Sequence, residues 1–327
     1  MSIHPLDSGA GARRAALTLG RTAALGLALC LAAMSGGGAR AQDRGSLNPK
    51  PLPPLANPSS PSTPAKELFG RKTTPAAELE PNSIGFYSKG CLAGAAQLPI
   101  DGESWQVMRL SRNRNWGHPA LVRLLQRLAS KAPGAGWNGL LVGDMSQPRG
   151  GPMLTGHASH QIGLDADIWL TPMPDRTLSR REREEMSATN VVASDWLDVN
   201  PDVWSSRHLS IIKLAAQMPE VERIFVNAAI KKAICREAGG DRSWLSKVRP
   251  MYGHNYHFHI RMSCPRGQEG CREQDPPPSG EGCDASLAHW FSDAVLHPRK
   301  PKVPHKPRPP MTMASLPDEC RQVLTEP

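Results

Sequence analysis

Nothing in the 327-residue chain repeats at a period of 20 to 50 residues, which excludes solenoids and propellers. No apolar run reaches the roughly 20 residues that a membrane-spanning helix needs. G-x-S-x-G, the Walker A sequence and the dinucleotide fingerprint are all missing, so serine hydrolase, nucleotide and Rossmann readings lack their marks. H-E-x-x-H, with its glutamate base, is absent too. No C-x-x-C occurs, which removes zinc ribbons and thioredoxin-like redox chemistry. No lysine/arginine block is interleaved with aromatics, so nucleic acid is not the expected partner.

Proline and glycine, by contrast, are plentiful, at 32 and 29 residues in a chain only 39% hydrophobic. Linkers are therefore expected beside a folded body. Residues 1–41 read as an export signal: Arg13, Arg14 and Arg21 precede the apolar run Thr22 to Met34, and Ala39-Arg40-Ala41 offers a cleavage site. A soluble, periplasmic product with no stable membrane span is expected. Residues 42–82, with seven prolines from Pro49 to Pro64, read as a flexible leader, and residues 298–327 as a proline-rich tether with a C-terminal segment pinned by Cys320. Without residues 1–41 the formal charge falls from +9 to +6, which suits an anionic envelope polymer. Six cysteines then remain (Cys91, Cys235, Cys264, Cys271, Cys283 and Cys320), and in an oxidising compartment they read as three disulfides with fifteen possible connectivities.

The body, residues 83–297, mixes both periodicities. His118-Pro119 starts a helix with Leu121, Leu124, Leu125 and Leu128 on one stripe. His208 to Met218 reads as a second, with Leu209, Ile212, Leu214 and Ala215 inward, and Ala228 to Arg236 as a third. Leu140 to Val142 and Arg223 to Asn227 are short apolar strands, and Ser179 to Glu185 is a charged connection. Residues 164–170 alternate, placing Asp165 and Asp167 on one face, and His257 to Met262 alternates with His257 and His259 on one face and Phe258 and Ile260 on the other. Strands and helices without regular βαβ spacing predict an α+β fold: a small antiparallel sheet carrying the metal site, flanked by helices and stapled by disulfides.

Five of the eleven histidines fall in two windows, His157 and His160 in G-H-A-S-H-Q-I-G-L-D-A-D, and His254, His257 and His259 in G-H-N-Y-H-F-H-I. Zinc takes imidazole nitrogen and carboxylate oxygen, and a hydrolytic site needs three protein ligands with the fourth position left for water. His160, Asp167 and one of His257 or His259 supply such a set. The other histidine of the H-x-H pair, on the same strand face, can then serve the reacting water. Taken singly, each window is more often an ordinary hydrogen-bonded histidine–aspartate pair. Their pairing in one exported, cysteine-bridged chain favours a metal.

H-x6-D at His160 to Asp167, H-x-H at His257 to His259, and the strings R-I-F-V-N-A-A-I-K and K-V-R-P resemble the penicillin-insensitive murein endopeptidases over about residues 83 to 325. These lie within the wider group of lysostaphin, the D-Ala-D-Ala peptidases and the hedgehog signalling domain. The resemblance implies a zinc endopeptidase that cuts D-alanyl-meso-diaminopimelyl cross-links in peptidoglycan. It implies His160, Asp167 and His259 as zinc ligands, with His157 at a position also counted as a ligand, and His257 as base or transition-state stabiliser. It also implies the pairings Cys91 with Cys320, Cys235 with Cys283, and Cys264 with Cys271. Some members hold a second metal on D-x-x-H where this chain has Ser187 and Asn190, poor zinc ligands, so one zinc per chain is expected. The other class that this resemblance leaves open is a non-catalytic zinc-containing peptidoglycan-binding module.

Overall fold

Alternating apolar and polar residues at 164–170 and 257–262 build the two strands at the centre of the fold. A computed structural model describes residues 44–298 and 309–327, which belong to one unit, Gln42–Pro327. The export signal read at 1–41, and most of the proline-rich run of the tether, lie outside the described residues. In chain order the elements are α1 (Ala65–Phe69), β1 (Asn82–Phe86), β2 (Lys89–Ala93), β3 (Ala96–Gln97), β4 (Asp101–Gly102), β5 (Trp105–Val107), β6 (Trp116–Gly117), α2 (Pro119–Lys131), β7 (Leu140–Val142), β8 (Asp165–Trp169), α3 (Arg180–Glu185), α4 (Ser206–Ala216), β9 (Val221–Val226), α5 (Ala228–Glu237), β10 (Val248–Pro250), β11 (His257–Met262), α6 (Ala285–Ala288), α7 (Asp293–Leu296) and α8 (Glu319–Thr325). Among the described residues no helix is long and apolar enough to cross a membrane.

The fold is mixed α and β, but its sheet is neither small nor purely antiparallel. Seven strands run in the order β10-β9-β11-β8-β7-β5-β4, and the β10/β9 and β5/β7 pairs are parallel. Strands of two or three residues, as at β4, β5, β7 and β10, are too short to show a period, so only the sheet's centre is prominent in the sequence. One face of the sheet (Ala166, Ile168, Ile224, Val226, Phe258 and Ile260) is apolar and shares the main core with the inner stripes of α2, α4 and α5. The opposite face carries Asp165, Asp167, His257, His259 and Arg261, all buried. Period-2 geometry thus spends one face on the core and leaves the other to charged groups.

The four leucines expected to line α2 are all buried, and the His118 side chain caps it by accepting from the Ala120 N–H at 3.1 Å. In α4 the buried residues are His208, Ile211, Ile212, Ala215 and Ala216, and Leu209 and Leu214 pack partly buried against the same core. The segment read as a charged connection contains α3, started by a capping box in which Ser179 and Glu182 satisfy each other's backbone N–H groups. The proline-rich leader is packed over its second half: Ala65, Phe69 and Ala76 are fully buried in a second cluster with Ile84, Cys91, Leu316, Cys320 and Val323. Phe69 and its neighbours supply enough apolar surface to fix the chain there despite the surrounding prolines.

Disulfides join Cys91 to Cys320, Cys235 to Cys283 and Cys264 to Cys271, with Cα atoms 5.7, 5.7 and 5.8 Å apart. Near the second of these, the fully buried Lys231 donates from Nζ to Leu245 O (2.8 Å) and Glu281 O (2.6 Å). Burial, reinforced by the Arg249 charge, lowers its pKa from 10.5 to about 7. Between those two values the unfolded chain binds more protons than the folded one, so this group's contribution to stability rises with pH through that window. The unfolding free energy from urea titrations should therefore climb from pH 7 to pH 9, by about 1 kcal/mol or more, and Lys231→Met should flatten that climb. Equal slopes in both proteins would show that the ammonium stays charged on its two carbonyls.

Candidate metal centre

Strand pairing assembles the site. In the β11/β8 ladder His259 stands opposite Asp167 and Arg261 opposite Asp165, while β9 places Phe225 beside His259. Directly opposed residues in an antiparallel pair bring their Cβ atoms to about 5 Å, within reach of short polar side chains. His157 and His160 come from the loop before β8. There His160 adopts the left-handed φ of 69° and Gly163 the same φ. A Cβ on Gly163 would lie 2.4 Å from Leu92 Cδ2 and 2.8 Å from the His118 N atom, so only glycine fits this turn. The His160 N–H donates to Asp165 Oδ2 at 3.0 Å, which ties the strained loop to the strand that follows it.

All five histidine and aspartate side chains singled out for the site converge. Around the Asp167 carboxylate lie His259 Nδ1 (3.1 Å from Oδ1), His160 Nε2 and His257 Nε2 (each 3.6 Å from Oδ1) and His157 Nδ1 (3.5 Å from Oδ2). Among the described residues one group of three could hold a metal ion, namely His157, His160 and Asp167, whose ligand atoms lie within 4.8 Å of one another. Several buried polar atoms here have no hydrogen-bond partner: both ring nitrogens of His160, Asp167 Oδ1, His257 Nδ1 and His259 Nε2. Leaving such atoms unsatisfied costs about 1–3 kcal/mol each. A cation between His160 and Asp167 would satisfy a ring nitrogen and Oδ1 at once, and the imidazole and carboxylate donor set suits zinc. The residues present therefore fit the metal that the sequence motifs imply.

Electrostatics agree. Burial alone would raise the Asp167 carboxyl, but the surrounding imidazoles, led by His257 and His157, hold it well below its ordinary range. Burial depresses His160 to about 3, helped by the charge of His157, and it lowers His257 as well. His259 goes the other way: burial is outweighed by Asp165 and Asp167, which hold it up at about 9. A nitrogen whose proton is so favoured by carboxylates sits in a negative potential that attracts a cation.

The sequence reading gave no role to four side chains at the site. Asp144, after β7, is buried, and its Oδ2 receives Arg112 Nη1 and Arg114 Nη1 at 2.9 Å and contacts His157 Nε2 at 3.0 Å. Neither arginine nor Asp144 stands near a recognisable motif. His254 lay inside the second window without a role; its ring centroid is 4.7 Å from that of His257, and its Nδ1 is 2.8 Å from Tyr252 O. Burial and the His257 charge lower it to about 3. By contrast, Asn190, at one of the two positions considered for a second metal, spends its Oδ1 on Asn255 Nδ2 (2.9 Å) and the Val192 N–H (3.0 Å). That oxygen is part of the loop framework.

Comparison with known proteins gives the same family as the motifs. The sequence profile of the penicillin-insensitive murein endopeptidases matches residues 83–325. A penicillin-insensitive murein endopeptidase of Haemophilus influenzae is 43% identical over 257 residues, covering 79% of this chain and 87% of the relative. One from Klebsiella pneumoniae is 45% identical over 246 residues, 75% of this chain and 86% of the relative. A Shigella sonnei protein of the same name is 45% identical over 244 residues, with 75% and 86% covered. With the profile spanning residues 83–325 and relatives this similar along most of their length, the chain belongs to the penicillin-insensitive murein endopeptidase family.

Proposed function

We propose that the chain is a zinc-dependent murein endopeptidase that acts in the periplasm and hydrolyses the D-alanyl-meso-diaminopimelyl cross-link of peptidoglycan. The observation that carries this reading is the cluster of buried, unpartnered histidine and carboxylate atoms around Asp167, in a chain of this family. His160, Asp167 and His259 are the ligands we assign, with His157 as a fourth group that faces Asp167 from the loop. One zinc per chain held there would supply a water of pKa near 7 and a Lewis acid for the scissile carbonyl. No serine nucleophile is used, so a β-lactam finds nothing to acylate, which accounts for penicillin insensitivity.

His257 is the catalytic side chain. Its buried Nδ1 has no partner and its Nε2 is 3.6 Å from Asp167 Oδ1, so it lies beside the ligands and keeps a nitrogen in reserve. Held neutral by burial, it can accept a proton from the attacking water or donate to the developing oxyanion. The His254 ring packs against it, with centroids 4.7 Å apart.

The test measures metal content together with cleavage of cross-linked muropeptide dimers, with and without chelator. About one zinc per chain and chelator-sensitive release of two monomers support the proposal. Loss of a single terminal alanine would mean a carboxypeptidase, and zinc without cleavage a binding module. His257→Ala should keep its zinc and fold while turnover falls by about 10² to 10⁴; wild-type turnover would remove His257 from the mechanism.

A further inference from the structure

Asp165, two residues before the ligand aspartate, has no place in the chemistry above, yet it is 1% exposed and paired with Arg261 in the interior. Burying a carboxylate is costly unless its partners are fixed, and here they are. Arg261 Nε donates to Oδ1 at 2.9 Å and Arg261 Nη2 to Oδ2 at 3.1 Å, and the His160 N–H also donates to Oδ2. The guanidinium is held in turn: its carbon lies 4.0 Å from the Tyr87 ring centroid and 5.1 Å from that of Phe225, and Nη1 donates to Gln274 Oε1 at 2.7 Å. Opposite this clamped carboxylate, His259 Nε2 lies 3.0 Å from Asp165 Oδ1, close but not aligned as a hydrogen bond, while Nδ1 faces Asp167.

We infer that Asp165, locked by Arg261, is a positioning residue: it keeps the remaining proton of His259 on Nε2 and so presents Nδ1 to the metal, and it fixes the backbone of His160 at the same time. Neutral imidazole has one N–H and one lone pair; a carboxylate faces each nitrogen, but Asp165 is held by Arg261 and takes the N–H at Nε2, whereas Asp167 is itself a ligand and leaves the Nδ1 lone pair to the metal. The two outermost contacts of Asp165 thus reach two ligands from different elements, a strand and a loop, through one carboxylate. Outer carboxylates of this kind typically contribute 10- to 100-fold to metal affinity.

This inference rests on the metal reading, and the experiment separates the two. Zinc affinity is measured by chelator competition, with the cobalt-substituted absorption spectrum as a second readout, for the wild type, for Asp165→Asn and for Asp165→Asn with Arg261→Gln. The double substitution removes both buried charges, so it should recover much of the thermal stability that the single one loses. Positioning predicts that metal affinity nevertheless stays 10- to 100-fold below wild type and that the cobalt spectrum is altered. A folded double variant with wild-type affinity and spectrum would reduce Asp165 to a structural ion pair. Should the double variant fail to fold, Asp165→Asn is assayed below its melting temperature and the same two outcomes decide. A wild-type protein that takes up no metal would instead overturn the reading beneath.

Discussion

Asp167→Asn should abolish both metal retention and cleavage. The substitution keeps the shape of the side chain and removes the one negative charge that lies within 3.1 to 3.6 Å of nitrogens from His157, His160, His257 and His259. Amide oxygen is a far weaker zinc donor than carboxylate, and the amide N–H₂ points donors at nitrogens that should be ligands. Zinc content should fall from about one per chain to under a tenth, and dimer cleavage by at least about 10³-fold, equivalent to about 4 kcal/mol of barrier. The fold should persist, because the strand is held by backbone bonds from Asp167 N to Asp144 O (3.0 Å) and from Gly143 N to Asp167 O (2.8 Å). Chelated wild type should match the variant, and added zinc should rescue only the wild type. Full zinc content and turnover in Asp167→Asn would sink the ligand assignment.

The second large effect concerns stability. Removing the Cys91–Cys320 bridge by paired alanine substitutions should cost more than removing either of the others. Its sequence separation is 229, against 48 for Cys235–Cys283 and 7 for Cys264–Cys271. Loop-closure entropy then gives roughly 5, 4 and 2 kcal/mol in that order, of which native strain and residual structure commonly leave a part. A melting point lower by roughly 5 to 15 °C is expected for the first variant. The effect has a local side as well. Cys320 lies in the first turn of α8, whose closing carbonyls, Val323 and Leu324, accept from the buried Arg149 Nη1 at 3.0 and 3.2 Å, and the Arg149 carbonyl accepts the Leu92 N–H at 3.0 Å. Arg149 lies in the same loop as His157 and His160, so loss of the staple should loosen that loop and speed zinc loss. Scanning calorimetry on the three variants gives the order; a least stable Cys264/Cys271 variant would contradict it.

Much of this architecture was legible because particular residues obey strong periods. His257 to Met262 alternates without a break and became β11 with the expected faces, and Leu121 to Leu128 marks α2 by its stripe. In α4 the best-buried stripe is Ile211, Ile212 and Ala215, with Leu209 and Leu214 partly buried at its edges against the same core. The S-x-x-E of Ser179 to Glu182 was a readable helix start that the dense charge around it obscured. The sheet's extent was hidden in two- and three-residue strands that only pairing defines. At the site, the two histidine windows announced themselves. Asp144 and its arginines did not, because they stand 13 to 45 residues before His157 and only the folded chain brings them to it.

The first bridge also bears on how the protein withstands being cut. Both histidine windows, the whole seven-stranded sheet and the other two bridges lie between Cys91 and Cys320, inside a single covalent ring. A protease that nicks the chain once anywhere in that ring, including the proline-rich run near residue 300, opens a circle and does not release a fragment. The nicked enzyme would keep every ligand on one covalent body and migrate as one species until a reductant parts the two pieces.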